Sequence, residues 1–252
     1  MTDSRRRLGL LVPSADVVAE PDFQRFLPDG IVIYTSRAFQ RGQQTVSNET
    51  LRQIVEATGE AAESLSHARP ELICFACTAA SFMHGPGWDR ELAERISRAA
   101  GGIPALTTSG ALIAAMKALD VREVFMVTPY PETRNEVERS YFAASGIDIV
   151  GHTRFDCRMG WEIPAIAPER IVERATEHRE AIRAAGALFL TCTNLRSMEV
   201  AEDLERALEV PVVTSNSATL WAALVGLGVD ASKVRAGRLF GSAPVADIPR
   251  VA

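Results

Sequence analysis

Leu72-Ile73-Cys74-Phe75-Ala76-Cys77-Thr78 and, 115 residues later, Ala187-Leu188-Phe189-Leu190-Thr191-Cys192-Thr193 are two versions of one pattern. Each is a short, nearly unbroken apolar run that ends in Cys-Thr. Such runs suit strands buried on both faces of a parallel sheet, where alternation with polar residues is lost. Two more matches accompany them in the same chain order. Ile103-Pro104-Ala105-Leu106-Thr107-Thr108-Ser109-Gly110-Ala111 corresponds to Val210-Pro211-Val212-Val213-Thr214-Ser215-Asn216-Ser217-Ala218 at a spacing of 107. Leu11-Val12-Pro13 corresponds to Val127-Thr128-Pro129 at 116. Three ordered matches at similar offsets predict a duplicated α/β unit, and two periods are too few for a solenoid.

Outward from these runs, strands are predicted over 8–12, 30–34, 71–76, 121–127, 187–191 and 210–214. Helices are predicted over 50–68, 89–100, 109–119, 131–145, 168–185, 197–208 and 217–227. Asn48-Glu49 and Pro168-Glu169 read as helix starts, and Gly146 and Gly186 as helix ends. The alternation predicts an α/β fold of two similar lobes, each a parallel sheet flanked by helices. A pseudo-twofold would relate them, with the active site between. The first lobe is expected to comprise 1–106 plus 214–252, and the second 107–213.

Composition sets the outer bounds. A length of 252 residues corresponds to roughly 1.7 average domains, which the repeat resolves into two lobes. With 47% hydrophobic and 23% charged residues, the chain is not of the disordered class. A net charge of −5 argues against a nucleic-acid partner. The apolar runs are too short to span a bilayer, and Pro13 and Asp16 end the first one too early for a secretory signal. The cytoplasm is the expected compartment, so the four cysteines at 74, 77, 157 and 192 are not read as a disulfide framework. A homodimer is the default expectation for the assembly.

A residue at the carboxyl end of a parallel strand faces the crevice in which open α/β sheets bind ligands. A helix beginning just after it favours a thiolate there. Cys77 and Cys192, one per lobe, are therefore predicted to face each other across the cleft. Such a pair can work on both faces of one carbon, as base and acid or as nucleophile and proton carrier. The plain alternative is two buried structural cysteines, and their placement at matched positions of a repeat weighs against it. Cys74 lies on the other side of its strand and is read as core. No second C-x-x-C or Cys/His pair completes a metal site, so no metal is expected. Cys157 has no repeat partner, and the histidines at 67, 84, 152 and 178 form no triad pattern. Ser14, Thr128 and Tyr130 lie on strand-end loops of the same edge, as carboxylate donors or as ordinary turn caps. Thr107-Thr108-Ser109 and Thr214-Ser215-Asn216-Ser217 are expected to cap helices. Nucleotide loops and nucleophile elbows are absent, which makes cofactor-free chemistry the economical reading.

These motifs resemble the aspartate/glutamate racemase superfamily, and within it the branch of maleate cis-trans isomerases and arylmalonate decarboxylases. The resemblance covers nearly the whole chain. It is carried by Val12-Pro13-Ser14, Ala76-Cys77-Thr78, the helix start at 107–111, Thr128-Pro129-Tyr130, Cys192-Thr193 and Pro211-Val212-Val213-Thr214-Ser215. Gly237-Arg238-Leu239-Phe240 is similar to the decarboxylases. The resemblance implies a metal- and cofactor-independent isomerase of a small carboxylic acid. Cys77 would add to the double bond of a cis-enedioate and Cys192 would handle protons. Ser14, Asp16, Thr78, Tyr130, Thr193 and Asn194 would hold the substrate carboxylate. The decarboxylases have glycine at the first cysteine position, so Cys77 disfavours decarboxylation. Maleate isomerases carry Asn where this chain has Asp16, and the racemases an acidic residue, which keeps racemisation as an alternative. A carboxylate at Asp16 calls for protonation or for a partner such as Arg37, and Arg196 is a further carboxylate-binding candidate. A non-catalytic carboxylate-binding protein is the alternative from another class.

Overall fold

The computed structural model describes residues 5–246 and 248–251. The first sheet and the helices that follow its strands run β1 (Arg6–Pro13), α1 (Ala19–Phe26), β2 (Ile31–Ala38), α2 (Asn48–Ser66), β3 (Leu72–Phe75), α3 (Thr78–Phe82), α4 (Trp88–Ala99), β4 (Ala105–Thr107) and α5 (Thr108–Ala118). The second sheet and the helices that follow its strands run β5 (Glu123–Thr128), α6 (Glu132–Ala143), β6 (Asp148–Arg154), α7 (Pro168–Glu177), α8 (Arg179–Ala185), β7 (Leu188–Leu190), α9 (Ala201–Leu208), β8 (Val212–Thr214) and α10 (Ser215–Gly226). Every strand pairing within the two sheets is parallel, in the orders β2-β1-β3-β4 and β6-β5-β7-β8. The same order built from consecutive strands of each half is the architectural form of the sequence repeat. Among the described residues, no helix is long and apolar enough to cross a membrane.

The central strands β3 and β7 are buried along their whole length, as their unbroken apolarity requires. Cys74 sits inside β3 with no exposure. Thr107 and Thr214 cap α5 and α10 by accepting from the N–H groups of Gly110 and Ser217. Every residue of α10 is buried, and α10 packs on α5 at the junction of the lobes. Its Ala, Gly, Ser and Thr residues allow that close approach, and Thr219 donates across it to the Thr108 hydroxyl at 3.0 Å.

Four local expectations are corrected. The strands β4 and β6 went unpredicted; β6, at a sheet edge, carries exposed Asp148 and half-buried His152, so its apolar signal is weak. Helices α1 and α3 were also absent from the prediction. The single helix expected over 168–185 breaks at His178 (φ −109°, ψ 18°), whose ring stacks on Phe125. The helix expected from residue 197 begins as a 3-10 turn, Met198–Val200, and becomes α-helical only at Ala201.

The C-terminal segment is fastened by a buried carboxylate. Glu205 accepts from the N–H groups of Val212 and Arg238, each at 2.9 Å. Gly237 adopts φ +106°, and a Cβ there would lie 3.2 Å from the Glu205 carboxylate. Gly237→Ala should therefore lower unfolding stability by about 1–3 kcal/mol, measured by urea denaturation. An unchanged midpoint would show that the tail does not depend on this turn.

Candidate active site

The carboxyl ends of β1, β3, β5 and β7 meet at one cavity of about 90 Å³. Its wall includes Asp16, Cys77, Thr78, Tyr130, Arg134, Cys192, Thr193 and Asn194. Two loops cover it, one from each lobe. Val46 N–H donates to the Arg158 carbonyl at 2.8 Å, Gly160 N–H to that of Gln44 at 2.6 Å, and Thr45 bridges Met159.

The two Cys-Thr turns interlock across the lobes. Thr78 donates its hydroxyl proton to Ser215 Oγ at 2.9 Å, and the same Oγ accepts the Cys192 N–H at 2.9 Å. In the opposite sense, Thr193 donates to the carbonyl of Ala76, next to Cys77, at 3.3 Å. The positions of the two thiols are thus tied to each other through three hydrogen bonds. Their backbones differ: Cys77 is extended (φ −153°), whereas Cys192 has φ +93°, a sparsely populated region for a side-chain-bearing residue.

That difference corrects the expectation of a thiolate-favouring helix start at both cysteines. Only the five-residue α3 follows Cys77, and the left-handed turn at Cys192 leads into further turns. Burial dominates both thiols. It pushes Cys77 up to about 12, opposed by the N–H of Ala80 and more weakly by Arg134. It raises Cys192 as well, opposed by the Tyr130 hydroxyl and the N–H of Asn194. Burial thus favours the neutral thiol at both positions.

Asp16 is buried; its Oδ1 accepts from the N–H groups of Val18 and Ala19, and its Oδ2 has no hydrogen-bond partner. Arg37 does not neutralise it by an ion pair. Its guanidinium donates to the Asp16 carbonyl at 2.7 Å and pairs with Glu20 at 2.9 Å. Arg196 pairs with Glu199 at the surface, away from the cavity. Asn194 ties the lobes: its Oδ1 accepts from Val17 N–H, and its Nδ2 donates to the carbonyls of Ala15 and Gly160. Ser14 Oγ accepts from Gln40 N–H and is not in the cavity wall. Thr128 donates to Asn135 and accepts from Tyr130 N–H, which makes it a turn cap. None of the four histidines lines the cavity. Among the described residues, no group of three or more His, Cys, Asp or Glu is placed to hold a metal ion.

Arg134, in the cavity wall, and Glu138 beside it are buried charged residues that sequence reasoning missed. They stand one helical turn apart on the inward face of α6, with buried Tyr141 a turn further on. Glu138 accepts from the Thr191 hydroxyl at 2.6 Å, and burial pushes its carboxyl up to about 8.

Two halves of matching sheet topology thus bring one cysteine each to a shared cavity, the arrangement of a two-cysteine site. The arylmalonate decarboxylase family model, Amdase, matches residues 8–240, and the chain belongs to that family. The maleate isomerase of Nocardia farcinica is 28% identical over 93% of this chain and 95% of its own. The arylmalonate decarboxylase of Bordetella bronchiseptica is 27% identical over 92% of this chain and 95% of its own. A solved structure of the Nocardia farcinica maleate cis-trans isomerase superposes with a TM-score of 0.85 at 26% identity, covering 93% of this chain and 98% of that one. It is a cysteine-to-serine mutant holding a covalently bound succinylcysteine intermediate.

Proposed function

We propose that this protein is a cis-trans isomerase of a small cis-enedioate such as maleate, with Cys77 as nucleophile and Cys192 as proton carrier. The observation that carries the reading is the pairing of two thiols, from equivalent strand ends, in one cavity of about 90 Å³. Drug-sized ligands occupy pockets several times larger, at roughly 300–1,000 Å³, so the volume suits a substrate of few heavy atoms. An arylmalonate would need a larger space, which weighs against decarboxylation of that class.

The steps follow from the groups present. The Cys77 thiol passes its proton to a carboxylate of the entering dianion, which returns it when the product leaves; the thiolate so formed makes a C–S bond to one olefinic carbon, and the π electron pair moves toward the other carbon and its carboxylate. The Cys192 thiol delivers a proton to that carbon, leaving a single C–C bond that rotates. The Cys192 thiolate then takes a proton back, the double bond re-forms in the trans geometry, and the C–S bond breaks. The Tyr130 hydroxyl, hydrogen-bonded to Cys192, stabilises its thiolate form during the cycle. The N–H of Ala80 does the same for Cys77.

Asp16 supplies a pH dependence. Burial raises its carboxyl above the usual carboxylate range, against the N–H of Ala19, the Thr193 hydroxyl and the N–H of Val18. Below the raised pKa the group is neutral, and its free Oδ2 is able to donate to a substrate carboxylate. Above it the group is an anion that repels a dicarboxylate. KM for maleate should therefore rise as pH climbs through this titration, and Asp16→Asn should flatten the rise. Coincident KM profiles for the two proteins would remove Asp16 from the site.

Proton NMR of maleate, phenylmalonate and a panel of amino acids in D₂O tests the function itself. Conversion of maleate to fumarate is the expected result. Deuterium wash-in at the Cα of an amino acid without maleate turnover would support racemisation, and loss of carboxylate from phenylmalonate would support decarboxylation.

A further inference from the structure

Arg134 is 6% exposed, lines the same cavity as Cys77, and its Nε has no hydrogen-bond partner. A buried cation is costly unless an anion or a set of acceptors compensates it. The other arginines considered for the substrate are already committed, Arg37 to Glu20 and Arg196 to Glu199. Glu138, one turn along α6, is occupied by Thr191 on Oε1, leaves Oε2 unpartnered and, though electrostatically coupled to Arg134, forms no ion pair with it. Burial also pushes that carboxyl up to about 8, which favours its neutral form and weakens it as a counterion. Among the described residues no carboxylate forms an ion pair with Arg134, so the cavity wall carries a cation able to meet an entering anion.

We propose that Arg134 is the anchor for one substrate carboxylate, holding it next to Cys77 and selecting anionic over neutral substrates. The substrate named here rests on the isomerase reading; the anion preference does not. Asp16, on the same cavity wall with its own free oxygen, makes the site asymmetric, with a permanent cation contributed by the second lobe and a titratable acid by the first. A guanidinium offers paired donors that match a carboxylate, which an ammonium matches less well.

The test compares alkylation of Cys77 by anionic iodoacetate and neutral iodoacetamide, read by peptide mass spectrometry. Arg134→Met should lower the iodoacetate-to-iodoacetamide rate ratio at least tenfold, and Arg134→Lys should retain most of it. With maleate, Arg134→Met should raise KM about 10²-fold with kcat changed far less, because a ground-state anchor is removed. A second measurement needs no variant: succinate should protect Cys77 of the wild-type protein from iodoacetamide, whereas neutral succinamide should not. An unchanged rate ratio in Arg134→Met, or equal protection by the two compounds, would overturn the proposal. Absence of maleate turnover in the wild type, with the anion preference intact, would overturn the isomerase reading and leave the anchor standing.

Discussion

Cys77→Ser should lower maleate turnover by on the order of 10⁴-fold or more while leaving the fold unchanged, the scale of loss when a covalent nucleophile is removed. Serine is nearly isosteric, so the packing around α3 is preserved. Its hydroxyl ionises far less readily than the thiol and is a poor nucleophile without a neighbouring base. The contacts that position Cys77, from the N–H of Ala80 and from Thr193 to the adjacent Ala76 carbonyl, do not require sulfur. Steady-state kinetics with circular dichroism as a fold control checks this. Turnover within tenfold of wild type would remove Cys77 from the chemistry.

Cys192→Ser should cost about 10²- to 10⁴-fold in kcat, the usual worth of a positioned acid or base. The loss should fall on the proton steps and not on C–S bond formation. Its backbone is the vulnerable point. Cys192 holds φ +93°, and the Ser215 Oγ that accepts its N–H is also the acceptor for Thr78. Serine keeps that N–H and adds no bulk, so the strained turn and the bond between the lobes persist. A comparable loss in Thr78→Val with both thiols intact would show how far the reaction depends on the cross-lobe network.

Much of this architecture is legible before any coordinates. The runs ending at Cys77 and Cys192 are apolar on both faces because they are central strands, and the repeat makes their equivalence visible. The caps at Thr107 and Thr214 follow from local hydrogen-bonding chemistry. Edge strands are harder to read: β6 lacks an apolar face, and its character comes from pairing with β5. The site was legible as a set of loops and not as a set of contacts. Ser14 and Asn194 lie at the expected strand ends, yet their side chains are engaged by the Gln40 N–H and by backbone groups of residues 15, 17 and 160. Arg134 was hidden for a related reason. The charge-rich helix around it reads as solvated, and the i, i+4, i+7 spacing of Arg134, Glu138 and Tyr141 marks an inward face only once α6 is docked.

Intact-protein and peptide mass spectrometry of Cys192→Ser after incubation with maleate tests the covalent two-thiol route most directly. With proton return impaired, the account predicts a mass gain of one substrate molecule, mapped to Cys77 and absent from the Cys77→Ser, Cys192→Ser double variant. An unmodified Cys77 under conditions in which the wild type forms fumarate, or an adduct mapped to Cys74 or Cys157 instead, would contradict it.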